Sequence, residues 1–151
     1  MNLEQTADVQ FIRSIVTHPD VFPYVVDEGH APETWQPPLN DNLAWLKCDG
    51  IAGVALVYRV SGVIYAYDAA LLPEARAKAV GYKERRGHIE LLKNWLRLHT
   101  DCQHLIAIIA CDNERSIAAA KADGLKLEGN LPKSKWRGGR LIDALVFGTE
   151  I

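Results

Sequence analysis

The feature that most constrains this chain is a strand-like run followed at once by a loop of small residues and a long amphipathic segment. Residues 63–72 are apolar and aromatic with no turn residue, and Ile89, Leu92, Trp95, Leu96 and His99 recur at three- and four-residue steps, the spacing that lines one face of a helix. Between them lies Pro-Glu-Ala-Arg-Ala-Lys-Ala-Val-Gly, residues 73–81. Backbone N–H groups of such a loop, with a helix N-terminus behind them, form an anion cradle. Small residues at Ala77, Ala79 and Gly81 let a ligand approach closely. Lys78, Lys83, Arg85 and Arg86 crowd the start of the helix, where the macrodipole disfavours each cation by roughly a few tenths of a kcal/mol. A bound polyanion reverses that sign; the alternative is a solvated, solubilising face.

The rest of the chain reads as one α/β domain spanning residues 1–151. A first helix is expected over residues 6–17, with Thr6 or Asp8 as cap and Val9, Ile12, Ile15 and Val16 buried. Residues 21–26 are too short to assign to strand or helix. Residues 27–42 carry Gly29, Pro32, Pro37 and Pro38 and read as a long loop. Residues 43–48 alternate as a strand, Asp49-Gly50 signals a hairpin into residues 51–60, and Ser61-Gly62 turns the chain into the next strand. Residues 105–110 form a continuous apolar strand covered on both faces. Asp112 or Asn113 caps a helix over residues 117–122 that Gly124 stops. Residues 125–131 and 140–147 form a last pair of strands, joined by a long loop containing Trp136, Gly138 and Gly139. This order gives a sheet mixing antiparallel and parallel pairs.

Composition narrows the function classes. The 48% hydrophobic and 24% charged content is that of a globular domain. The absence of a long apolar run and of a basic, signal-like start points to a cytoplasmic protein without membrane contact. A net charge of −2 argues against a dedicated nucleic-acid binder. The basic residues between Lys121 and Arg140 read as a solvated face, the alternative being a surface for an acidic partner. Three cysteines, Cys48, Cys102 and Cys111, are unpatterned, which implies neither a disulfide frame nor a zinc site and suggests small buried hydrophobes.

Arg76-x-x-Ala79-x-Gly81 resembles the arginine-or-glutamine, x, x, glycine, x, glycine-or-alanine loop with which the GNAT superfamily of N-acyltransferases holds the pyrophosphate of acetyl-CoA. Pro73 fits that pattern, Asn113 followed by Gly124 and Leu125 resembles the family's asparagine, helix, glycine-phenylalanine segment, and the strand carrying Asp143 looks like its last one. The small bacteriophage-encoded branch is the nearest in pattern. The resemblance implies a GNAT-like mixed central sheet, with antiparallel N-terminal strands and a splayed parallel pair, flanked by helices. It implies acetyl-CoA or coenzyme A as cofactor, held by Leu71, Leu72, Arg76, Ala77, Lys78, Ala79, Val80, Gly81 and Asn113. A backbone N–H near Leu71 or Leu72 would stabilise the oxyanion. The acceptor would be a small-molecule amine or a protein amino group, with one wall of its pocket, including His30 and Trp35, supplied by the long loop. A homodimer is open.

Asp68 is the first candidate for the base, since it interrupts an apolar aromatic strand five residues before Pro73; Glu74 is the second. A strand-end aspartate bonded to a backbone N–H is the competing account of Asp68. Burial by Tyr65, Tyr67 and apolar neighbours would have to raise its pKa for that work. The chain departs from the family at Ala120, where many members carry the tyrosine that protonates coenzyme A. A non-catalytic protein of the same fold, such as a phage component, is therefore the second reading. A dinucleotide-binding oxidoreductase is the third, lacking G-x-G-x-x-G.

Overall fold

The computed structural model describes residues 2–78 and 82–151, apart from the side chains of residues 77, 78 and 82–87. Asp49-Gly50 turns β2 (Leu43–Cys48) back along β3 (Gly53–Ser61), with Gly50 at φ +75°, where a side chain is strained. β4 (Ile64–Leu71) follows, antiparallel to β3. With β1 (Leu3–Thr6), β5 (His104–Ala110), β6 (Lys126–Arg137) and β7 (Arg140–Glu150) they make one seven-stranded sheet in the order β1-β2-β3-β4-β5-β7-β6. β4 and β5 are its parallel neighbours; the other pairs are antiparallel.

Alternation along the strands sorts the core into two layers. Leu46, Val57, Tyr65 and Phe147 meet Ile89, Leu92 and Leu96 of α4 (Tyr82–His99) and Ala120 of α5 (Glu114–Ala122). On the opposite face Trp45, Val54 and Ala70 meet Ile12, Ile15 and Val16 of α1 (Val9–Val16) and Phe22 of α2 (Phe22–Val25). The sheet is thus covered on both sides, as a layered α/β domain requires.

Four expectations change. Thr6 ends an edge strand, paired with Trp45, and α1 starts after Asp8, whose carboxylate accepts the Phe11 N–H at 3.0 Å. Trp35, expected in a pocket wall, instead sits edge-on between Phe22 and Trp45, 6.4 Å from each ring centroid, and ties the long loop to the core. Residues 73–78 are not loop but α3 (Pro73–Lys78), with Pro73 where its missing N–H costs nothing and strong helix formers behind it. Ala79, Val80 and Gly81 of the expected cradle lie outside the described residues.

The last change is the closing hairpin. Instead of a long loop, β6 runs through Trp136, and Gly138 and Gly139, at φ +59° and +76°, make a two-residue turn that only residues tolerating positive φ can form. The polar run that hides the strand is a bulged edge. Its register shifts between Leu131 and Lys135, Lys133 adopts φ +47°, and the Asp143 carboxylate accepts the Lys133 N–H at 3.0 Å and the Asn130 amide at 3.3 Å. Of the cysteines, Cys102 is buried and Cys48 half-buried, but Cys111 is exposed at the end of β5.

Candidate functional site

β4 and β5 pair only where Ile64, Tyr65 and Ala66 face His104, Leu105 and Ile106. Beyond that point they separate, as the splay expected from sequence requires. Backbone parity says what the gap exposes. Leu72 donates its N–H to the Ala52 carbonyl at 2.9 Å, so along the unbroken register 53–71 the even-numbered residues Ala70 and Asp68 also bond to β3. Tyr67, Ala69 and Leu71 therefore turn their N–H and C=O groups toward β5. On β5, the Cys111 N–H bonds to the Asp143 carbonyl at 3.0 Å and the Ile151 N–H to the Gln103 carbonyl at 3.1 Å, which commits Ala107 and Ile109 to β7 and leaves Ile108 facing the gap. Of the two residues expected to supply an oxyanion donor, Leu71 presents its N–H and Leu72 has spent its own on Ala52.

The gap opens into a cleft of about 550 Å³ that passes through the sheet. Asn113, Ser116, Ala119, Ala120 and Asp123 of the α5 segment, with His88 of α4, border it on one side; Tyr24, Val25, Asp27 and the hairpin tip at Lys135–Arg137 border it on the other. Asn113 caps α5, its side-chain oxygen accepting the Ser116 N–H at 3.2 Å, and also lines the cleft. The hairpin tip is strapped down by Lys135 to Asp27 at 3.5 Å, Arg137 to Asp112 at 2.9 Å and to the Pro23 carbonyl at 2.8 Å, and Glu28 accepting the N–H groups of Gly138 and Gly139. The basic run around these residues is thus partly an internal clamp rather than a solvated face.

Asp68 lines this cleft. Asp68 is open to solvent in the cleft, but the protein crowded around it desolvates its carboxylate and pushes its pKa above the usual carboxylate range; Lys135 opposes the shift and Asp27 adds to it. The two flanking tyrosines do not bury it. Asp68 pairs with Leu56 of the α1/α2 layer, whereas Tyr67 pairs with Val57 of the α4/α5 layer, so the rings project to the other face. Tyr65 is occupied there, its phenol donating to Asp101 at 2.8 Å beneath Arg59. On Asp68's own face, burial and the Asp68 and Asp27 charges push Tyr58 up to about 12. Glu74 is exposed on α3 and His30 on the long loop, and neither lines the cleft.

Cations gather at one end. Arg76 and Arg115 both border the cleft, and among the described residues neither has a carboxylate within ion-pair distance. Burial, and then the neighbouring Arg115, hold Arg76 below the usual guanidinium range. Its Nη2 donates to the Asp20 carbonyl at 3.0 Å, and Arg115 lies 6.0 Å from the Tyr24 ring centroid. The Arg76 N–H is taken by the Leu72 carbonyl at 3.1 Å. Arg76 therefore offers a side chain, not a backbone donor.

Sequence reasoning missed Asp27, Lys135 and Arg115. Asp27 opens the loop assigned to an acceptor wall, and Lys135 and Arg115 stand in segments dense with charge, so nothing local marks them. Among the described residues, no helix is long and apolar enough to cross a membrane.

No protein-family model matches the sequence, and no curated protein matches it. Solved structures do match its fold. Spermidine N-acetyltransferase from Vibrio cholerae, in complex with CoA and spermine, superposes with a TM-score of 0.75 at 13% identity over 99% of this chain and 94% of that one. Ribosomal-protein-S5-alanine acetyltransferase from Vibrio fischeri gives 0.71 at 16% identity over 98% and 91%. A protein from Streptococcus mutans gives 0.68 at 18% identity over 99% of both chains. The mixed sheet with its splayed β4–β5 pair is the fold of the GNAT superfamily N-acyltransferases.

Proposed function

We propose that this protein is an acyl-CoA-dependent N-acyltransferase that moves an acyl group from a thioester to a primary amine by direct attack. The observation that carries the reading is the splay: N–H and C=O groups of Ala69, Leu71 and Ile108 face an open gap, where an extended pantetheine arm can add like a short strand. The shared fold with an enzyme whose structure holds CoA supports the same cofactor here. Its pyrophosphate would rest on the backbone after α3, at residues 79–81, with Arg76 and Arg115 at the mouth and Asn113 beside the arm.

The chemistry follows from the placement of the groups. An acceptor amine enters between α2 and the hairpin tip, where Asp68 and Asp27 favour a cation. Asp68, its pKa raised by desolvation, takes the ammonium proton directly or through water. The neutral amine attacks the thioester carbon, and the N–H of Ala69 or Leu71 stabilises the oxyanion. The acceptor is a small-molecule amine or a protein amino group.

A binding protein without turnover is the second reading, favoured by Ala120, which is buried in the cleft wall and supplies no acid from α5. Thiol release from acetyl-CoA with a panel of amines separates them. Amine-dependent release is expected; tight cofactor binding with no release from any amine selects the second reading.

A further inference from the structure

We propose that Tyr67 is the acid of this site, giving its phenolic proton to the thiolate sulfur as the carbon–sulfur bond breaks; the inference rests on the acyl transfer proposed above. A departing thiolate needs a proton. α5 borders the cleft with Glu114, Arg115 and Ser116 in its first turn and with Ala119 and Ala120 beyond, so its later turns bring no ionisable side chain to the cleft. Tyr67, also on the cleft wall, is the first residue of β4 beyond its last pair with β5, Ala66 with Ile106. It thus stands at the apex of the splay, the deepest point that a ligand laid between the strands can reach. Its partner Val57 belongs to the α4/α5 layer, so the ring projects to that side of the sheet. Strand alternation then places Asp68 on the side from which the amine enters and Tyr67 on the opposite side.

The groups around Tyr67 keep it protonated. Burial raises its pKa first, then the charge of Asp123 at the end of α5 and that of Asp68. His88 of α4 lines the same cleft, and Lys135 and Asp27 lie on the Asp68 side. Among the other described phenols, Tyr24 lies under Arg115 and Arg137, Tyr65 donates to Asp101 at 2.8 Å, and Tyr58 stands on the Asp68 face of the sheet.

The step balances. Asp68 first passes the ammonium proton on to solvent; the neutral amine nitrogen then bonds to the thioester carbon while the carbonyl electrons move to oxygen, and Asp68 takes the proton that the nitrogen now sheds. The oxyanion collapses, the carbon–sulfur electron pair leaves with sulfur, and sulfur takes the Tyr67 proton. Proton return from Asp68 to the phenolate through water resets both groups, so amine and thioester become amide and thiol.

The test compares the parent, Tyr67→Phe, and a protein with 3,5-difluorotyrosine at position 67, whose phenol is more acidic. Coenzyme A affinity is measured by calorimetry and kcat by thiol release. Tyr67→Phe should keep the parent's affinity and lose about 10²- to 10⁴-fold in kcat, the usual worth of a positioned acid. The fluorinated protein should show the alkaline fall of kcat at lower pH than the parent, which a packing role would not produce. Full kcat in Tyr67→Phe, or an unmoved pH profile in the fluorinated protein, overturns the assignment while leaving acyl transfer standing. Absence of amine-dependent thiol release from the parent overturns both.

Discussion

Leu72 donates its backbone N–H to the Ala52 carbonyl at 2.9 Å, and this bond decides which side of β4 faces the open cleft. Leu71, one residue earlier, is turned the other way. Replacing single amides by esters separates the two roles. An ester at Leu72 should lower stability by about 1 kcal/mol, the net worth of one hydrogen bond, with coenzyme A affinity little changed. An ester at Leu71 should leave the melting temperature nearly constant and weaken coenzyme A several-fold. Thermal melts and calorimetry on both proteins check this.

Asp68 links stability and rate to pH in opposite directions. Its folded pKa lies above the unfolded value of about 3.9, so the folded state holds the proton to higher pH. The associated stability is fully present below the unfolded value and declines as pH rises through the raised one. Asp68→Asn should therefore melt higher than the parent at neutral pH. The parent's rate should rise with pH through the same titration, and Asp68→Asn should lower kcat by about 10²- to 10⁴-fold with cofactor affinity unchanged. Full activity in Asp68→Asn would remove Asp68 as the base.

Asn113 both caps α5 and lines the cleft. Asn113→Ala should cost about 1 kcal/mol through the lost cap. Asn113→Asp keeps an oxygen for the Ser116 N–H and should restore that stability. If Asp restores stability but not coenzyme A affinity, the side-chain amide serves the cofactor; recovery of both would reduce Asn113 to a cap.

Lys133 holds φ +47° at the bulge that Asp143 pins. A non-glycine residue in that region is strained by about 1–2 kcal/mol, partly offset by the larger unfolded-state entropy of glycine. Lys133→Gly should thus raise stability by a few tenths to about 1 kcal/mol, whereas Asp143→Ala should lower it by leaving the Lys133 N–H and the Asn130 amide without this acceptor. Denaturant melts of both variants read the signs.

The sequence announced features set by local pattern and hid those set by pairing. Asp49-Gly50, the apolar run before Pro73 and the Asn113-to-Gly124 helix were legible because a turn, a strand and two caps each leave a local signature. β1 was not, because four residues are too few for alternation and Thr6 also suits a cap. β6 was masked by Pro132, Lys133 and Ser134, residues that an edge strand tolerates at a bulge. Asp68 stood out as a charge in an aromatic strand, but the tyrosines that seemed to bury it lie across the sheet, and its charged neighbours Asp27 and Lys135 come from segments 41 and 67 residues away. Such neighbours are a property of the register and the hairpin strap.

The most direct test of the account is calorimetric titration of the parent protein with coenzyme A. The splayed strands and the cations at the cleft mouth predict saturable binding at one site per chain, weakened by increased salt because phosphate contacts are charged and lost in Gly81→Glu but not in Lys126→Glu. No saturable heat with coenzyme A or acetyl-CoA would contradict the assignment of the cleft and the acyl-transfer chemistry built on it.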